Sequence, residues 1–169
     1  STAGFAVVAQ TTWHARQAVQ AVQAQWTAPP NGALDTQAIE ARMQEALKAE
    51  KGFAFYETGD ASQAEASAAK LVEASYQAPY LAHATMEPMN CTAQVKDGKV
   101  TVWVPTQVPE MARAIAAKVA GVDAKDVALH VTLLGGGFGR RLEVDYVAQA
   151  VQVAMACDGK PVQLLWSRE

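Results

Sequence analysis

Three glycines followed by Phe-Gly-Arg-Arg, the run from Gly135 to Arg141, constrain this chain more than any other stretch. A β-branched apolar run, Val127–Leu134, precedes it, and a helical pattern from Leu142 to Cys157 follows. The backbone must turn sharply there from an extended segment into a helix. Lacking a Cβ, glycine lets the main chain come close to whatever faces it. A helix start directs unpaired N–H groups and a positive dipole end at the same point. An anionic or oxo-rich group is therefore expected at this turn. An idle strand-to-helix turn is the alternative, although glycine costs about 1 kcal/mol per residue relative to alanine in regular structure.

Two familiar phosphate cradles fail on spacing. A P-loop needs Gly-x-x-x-x-Gly-Lys-Ser/Thr, and counting from Gly135 puts Arg140 at its second glycine with no Lys-Ser/Thr after it. A dinucleotide fingerprint needs Gly-x-Gly-x-x-Gly, and its third glycine falls on Arg140 or on Leu142. A nucleotide-binding α/β domain keeps the strand–glycine–helix order but not the spacing.

Of the 169 residues, 50% are hydrophobic and 18% charged, enough to bury a core. A net charge of −3 argues against a broad nucleic-acid surface. No run approaches the roughly 18 apolar residues of a membrane-spanning helix, and no signal-peptide pattern is read. Both ends read as cuts, so a segment of a longer protein is expected. Cys91 and Cys157 form no Cys-x-x-Cys and are read as small hydrophobes. His14, His83 and His130 share no metal-ligand spacing.

The pattern predicts strands at Phe5–Ala9, Phe53–Tyr56, Leu71–Ala78, Met89–Val95, Lys99–Pro105, Val127–Leu134 and Val162–Trp166. Helices are predicted over 13–25 after Thr11 or Thr12, over 36–49 after Asp35, over Ala61–Ala69, from Pro109 to Gly121, and over Leu142–Cys157. Pro29-Pro30-Asn31-Gly32 breaks the first helix from the second. Asp97-Gly98 between two strands is the clearest hairpin signal. This order predicts an α+β (mixed α/β) fold, a mixed sheet with helices packed on it. Residues 1–60 form an N-terminal α/β segment and 61–169 a second one, or the two make one compact domain.

Three stretches carry a family resemblance: Tyr80-Leu-Ala-His-Ala-Thr-Met-Glu-Pro-Met-Asn-Cys-Thr-Ala93, Pro105-Thr-Gln107, and Leu134-Gly-Gly-Gly-Phe-Gly-Arg-Arg141. In this order they resemble the molybdopterin-binding large subunit of the xanthine oxidase family. The branch is that of the isoquinoline 1-oxidoreductase and aldehyde oxidoreductase β-subunits. Ala6–Trp13 and Val162–Glu169 resemble it too, while about 28–60 do so thinly. The resemblance implies a fragment of a molybdenum hydroxylase that oxidises an aldehyde or N-heteroaromatic compound with water-derived oxygen. It implies molybdopterin, in its cytosine dinucleotide form, with molybdenum. Electrons would pass to 2Fe-2S clusters on an iron–sulfur small subunit and on to an external acceptor such as a cytochrome. The remainder of the large subunit is a further implied partner, and a periplasmic or a cytoplasmic location is compatible. A non-catalytic cofactor-binding or assembly module is the rival reading.

By the same resemblance Gln107 hydrogen-bonds the molybdenum oxo group. Phe138 and Gly139 bring backbone N–H groups to the oxo and pterin, with Gly136 and Gly137 before them, and Arg140 completes the cofactor-binding set. The family's catalytic base lies far toward the C-terminal end of the full subunit, so no catalytic residue is expected in this chain, and no direct metal ligand. Leu142 stands where purine-oxidising relatives carry a glutamate, which argues against a purine substrate. Arg140 and Arg141 pair either with a cofactor phosphate or with solvent, Glu143 or Asp145. Glu87 reads as a structural carboxylate bonded to nearby backbone, with a base tuned by burial as the alternative. His83 reads as a core or interface histidine, His130 as packing or surface, and Trp103 and Trp166 as core or interface anchors.

Overall fold

The structure is a computed structural model, and it describes residues 4–28, 32, 34–49 and 52–167. Residues up to Val22 and from Tyr80 onward group as one unit, and Gln23–Pro79 as another.

The first unit is built on a four-stranded mixed sheet. Asn90–Lys96 (β1) and Lys99–Val104 (β2) form an antiparallel hairpin, with Thr92 opposite Trp103 and Val95 opposite Val100. Asp97 and Gly98 make its turn with φ of 50° and 72°. Two successive positive φ angles match the right-handed twist of the flanking strands, as the Asp-Gly pair predicts. From β2 the chain passes through Pro109–Ala120 (α4) into Val127–Val131 (β3), which lies parallel to β2. Parallel neighbours need such a crossover. Asp145–Met155 (α5) then leads to Val162–Leu165 (β4), antiparallel to β1, and the sheet order is β3-β2-β1-β4. A helix at Thr12–Ala21 (α1) precedes all of this, with the Thr11 hydroxyl accepting from the His14 N–H.

Alternation along β1 and β2 sends Cys91, Ala93, Val100, Val102 and Val104 into the core. There they meet Ala112, Ala116 and Ala117 of α4 and Tyr146, Val147, Ala150, Val151 and Ala154 of α5. Alanine at most helix contact positions brings the helix backbones close to the sheet. The Tyr146 hydroxyl, buried with its ring, donates to the Pro105 carbonyl at 3.0 Å. That bond ties α5 to the end of β2, where the site begins. Burial of the phenol raises its pKa.

The second unit holds Thr36–Leu47 (α2) and Ala61–Ser67 (α3), capped by Asp35 and Asp60 side chains that accept from Ala38 and Gln63 N–H groups. Neither helix buries a residue. The break expected at Pro29–Asn31 lies outside the described residues.

The α+β class holds, but three expected strands do not form: Phe5–Ala9, Phe53–Tyr56 and Leu71–Ala78 are irregular. An apolar run becomes a strand only through cross-strand pairing, and among the described residues none of these runs has a strand partner. β3 also stops at Val131, three residues short of the expected end, because the chain leaves the edge of β2 toward the glycine run. A 3-10 turn at Arg140–Leu142 takes the place of the expected start of α5.

Burial pushes the Cys91 thiol up to about 12, which leaves roughly one part in ten thousand as thiolate at pH 8. A maleimide or disulfide reagent at pH 8 is therefore expected to label the partly exposed Cys157 while Cys91 reacts only on unfolding. Peptide mapping with and without denaturant reads the difference, and equal native labelling of the two would contradict this packing.

Candidate functional site

Three segments far apart in sequence converge beyond the end of β2: 83–90, which runs into the start of β1, Pro105–Gln107 after β2, and the run 135–141 before α5. Arg141 joins them. Its side chain is 0% exposed. Nε donates to the Gly136 carbonyl at 2.7 Å and Nη1 to the Pro105 carbonyl at 3.2 Å. Nη2 donates to the Glu87 carbonyl at 3.0 Å and to its carboxylate Oε2 at 2.7 Å. A buried charge is tolerable only when paired and hydrogen-bonded, and here both conditions are met. The expectation that Arg141 is solvated, binds phosphate or pairs with Glu143 or Asp145 is corrected: its partner is Glu87.

Glu87 is held just as firmly. Its Oε2 accepts the Gly135 N–H at 2.8 Å and its Oε1 the Asn90 side-chain amide at 2.8 Å. Its own N–H donates to the Gly135 carbonyl at 3.0 Å. The structural-carboxylate reading of Glu87 agrees with these bonds. Sequence reasoning missed the ion pair itself. The only trace of it in the sequence was an isolated glutamate in an apolar stretch and an arginine after a glycine run.

Gln107 is exposed, yet its amide is oriented. The Arg141 N–H donates to Gln107 Oε1 at 3.2 Å, and the Gln107 N–H donates to the Arg141 carbonyl at 3.2 Å. A backbone N–H requires an acceptor, which fixes the oxygen on that side. The Gln107 Nε2 group has no acceptor among the described residues. Thr106 supports the corner, its hydroxyl donating to the Arg141 carbonyl and accepting from the Val108 N–H.

The glycine turn packs against these groups. A Cβ on Gly137 would lie 2.6 Å from Gln107 Oε1, and one on Gly135 would collide with the Glu87 Cβ. Gly136 and Gly139 take φ of 97° and 90°, and Phe138 between them takes φ of 52°. For a residue with a side chain this conformation costs about 1–2 kcal/mol, and such strain concentrates at functional sites. Burial does not compensate it, since Phe138 is 74% exposed. The carbonyls of Gly136, Gly137 and Gly139 accept from the Arg141 side chain and from the Arg140 and Leu142 N–H groups. The N–H groups of residues 136 to 139 have no acceptor among the described residues. Three of the turn's carbonyls are thus used within residues 136–142, while the N–H groups of 136 to 139 stay available.

Arg140 takes up the other possibility raised for the arginine pair. Its guanidinium forms a bidentate bridge to Asp145, at 3.1 and 2.8 Å, and lies 5.1 Å from the Trp166 ring centre. Trp166 donates through Nε1 to Gln149 and through its backbone N–H to the Met89 carbonyl. Trp103 stacks on His130 across β2 and β3, with ring centres 5.6 Å apart. His83 is exposed rather than a core residue, with its ring beside Gly139. Among the described residues no group of three or more His, Cys, Asp or Glu side chains is placed to hold a metal ion.

Neutral donors without acceptors suit an oxo-rich, anionic ligand, because they bind it without a competing charge. Steric room sets the order of two substitutions. Gly135→Ala meets the base of the Glu87 side chain and is expected to destabilise the fold by about 1–3 kcal/mol. Gly137→Ala meets the movable end of Gln107 and is expected to cost less while displacing that amide. Urea unfolding midpoints of the two variants check the order, and a larger loss in Gly137→Ala would contradict it.

Comparison with known proteins fits this geometry. Residues 44–169 match the family model described as the molybdopterin cofactor-binding domain. The isoquinoline 1-oxidoreductase subunit beta of Brevundimonas diminuta is 40% identical over 95 residues, 56% of this chain and 11% of that protein. A membrane-bound aldehyde dehydrogenase of Gluconacetobacter polyoxogenes, whose name specifies pyrroloquinoline quinone, is 31% identical over 163 residues, 96% of this chain and 21% of that protein. The crystal structure of quinoline 2-oxidoreductase from Pseudomonas putida 86 superposes with a TM-score of 0.58 at 22% identity, over 64% of this chain and 14% of that one, and supports the fold. The chain thus spans 11–21% of the length of these two curated relatives. It belongs to the molybdopterin cofactor-binding domain family, within the large subunits of the xanthine oxidase family.

Proposed function

We propose that this chain forms one wall of a molybdenum–molybdopterin site in a molybdenum hydroxylase, with Gln107 and the 136–139 turn as its working surface. The observation that carries the reading is the orientation of Gln107. Arg141 holds its carbonyl oxygen, so its NH2 group is left to donate beside a turn whose N–H groups also lack acceptors. Gly136, Gly137, Phe138 and Gly139 supply those backbone donors. Arg140 borders them with its charge shared with Asp145.

When bound, the cofactor supplies the redox chemistry and the protein orients it. Gln107 and the turn would stabilise negative charge on oxo groups in a fixed geometry that needs no rearrangement during reaction. Leu142, about half exposed, lies just beyond the turn and offers an apolar contact. That favours an aldehyde or an N-heteroaromatic ring over a purine as substrate. The cytosine dinucleotide form of the cofactor, the 2Fe-2S clusters on a small subunit and a cytochrome acceptor complete the proposed parent enzyme. Its catalytic base is assigned to the remainder of the large subunit, and the isolated chain is expected to be inactive.

The test is made in the full-length large subunit. Gln107→Ala is expected to lower oxidation of an aromatic aldehyde by about 10- to 1000-fold with the fold unchanged by circular dichroism. Unchanged turnover removes Gln107 from the site. A wild-type parent that contains pyrroloquinoline quinone and no molybdenum would replace the molybdopterin reading.

A further inference from the structure

The geometry points to Arg141, paired with Glu87, as the positioning residue of this site: it sets the direction in which Gln107 and the glycine turn present their donors. This rests on the proposed role of Gln107 and the turn.

Arg141 contacts the working surface from two directions at once. Its backbone N–H holds the Gln107 side-chain oxygen, and its carbonyl accepts from the Gln107 and Thr106 side of the corner. Its side chain reaches back through Nε to the Gly136 carbonyl. One residue therefore fixes both the amide of Gln107 and the plane of the Gly136 peptide, and that peptide plane sets the direction of the next N–H. Its remaining bonds anchor this frame to the end of β2 at Pro105 and to the segment before β1 at Glu87.

The bonds point in different directions, to Gly136, to Pro105 and to Glu87. A planar guanidinium with five donors can serve all of them, whereas a lysine ammonium is a compact point charge with three. Lysine would keep the positive charge beside Glu87 but lose the span to Gly136 and Pro105. Glu87 in turn holds the Gly135 N–H and so fixes the entry to the turn from the opposite side. Arg141 touches no cofactor in this role: its side chain holds Gly136 directly, and Gln107 by fixing the place of its own backbone N–H.

The test uses the full-length large subunit with Arg141→Lys, Gln107→Ala and the double variant. Circular dichroism, molybdenum content and the molybdenum EPR spectrum of the partly reduced protein are read for each. Outer-shell partners of metal sites typically contribute about 10- to 100-fold in retention or activity, and Arg141→Lys is expected to lose cofactor retention on that scale. The spectrum of the remaining centres should shift in the same sense as in Gln107→Ala, and the double variant should be no worse than the weaker single one. Wild-type content and spectrum in Arg141→Lys, beside an altered Gln107→Ala, would overturn the inference, as would losses that multiply in the double variant. A wild-type spectrum in Gln107→Ala itself would instead remove the underlying reading of the site. If Arg141→Lys does not fold, Glu87→Gln decides, because it keeps an oxygen toward Gly135 and Arg141 while it removes the charge and the acceptor for the Asn90 amide. Reduced content with the same spectral shift supports the positioning role, and wild-type values overturn it.

Discussion

A guanidinium withdrawn from water needs acceptors for its N–H groups and a counter-charge. Arg141 finds these in Gly136, Pro105 and Glu87, and its side chain bonds all three at once. The arrangement of the site depends on this demand. Glu87 occupies its place because the charge must be met, and Gly135 must lack a side chain because Glu87 stands there. Gly137 must lack one because Gln107 is drawn against the same arginine. The glycine run is thus shaped from inside the protein as much as by any ligand outside it.

The hydrophobic core makes this demand possible. Valines of β1 and β2 and alanines of α4 and α5 close a tight layer. Tyr146 carries that layer up to Pro105, whose carbonyl accepts from both the tyrosine hydroxyl and Arg141. A single carbonyl therefore connects the apolar interior to the polar frame of the site. Polar groups buried this way specify one arrangement strongly when every member is satisfied.

Much of this could be read from residue order. Asp97-Gly98 identified the hairpin because its turn needs positive φ at both positions, and Pro109 and Gly121 marked α4 at both ends. The resemblance assigned the glycine run and Gln107 to one expected site, and the structure brings Gly137 against Gln107. The runs at Phe5–Ala9, Phe53–Tyr56 and Leu71–Ala78 misled because local apolarity says nothing about whether a partner strand exists. The Arg141–Glu87 pair was hidden for a related reason. It joins positions 54 apart, and neither residue has a sequence neighbour that announces the other. Arg140 and Arg141 look alike in sequence, yet one lies on Asp145 and Trp166 near the surface and the other is sealed inside.

That 54-residue span also ties the site to the fold as a whole. Glu87 precedes the whole sheet, while Arg141 follows β3, so their pairing closes a loop that contains β1, β2, α4 and β3. Contacts this distant carry a loop-closure cost that must be met before they contribute anything. The donor surface thus rests on contacts that span most of the sheet rather than on any one local segment. A ligand that recognises it reads the tertiary arrangement of the chain and not a local motif.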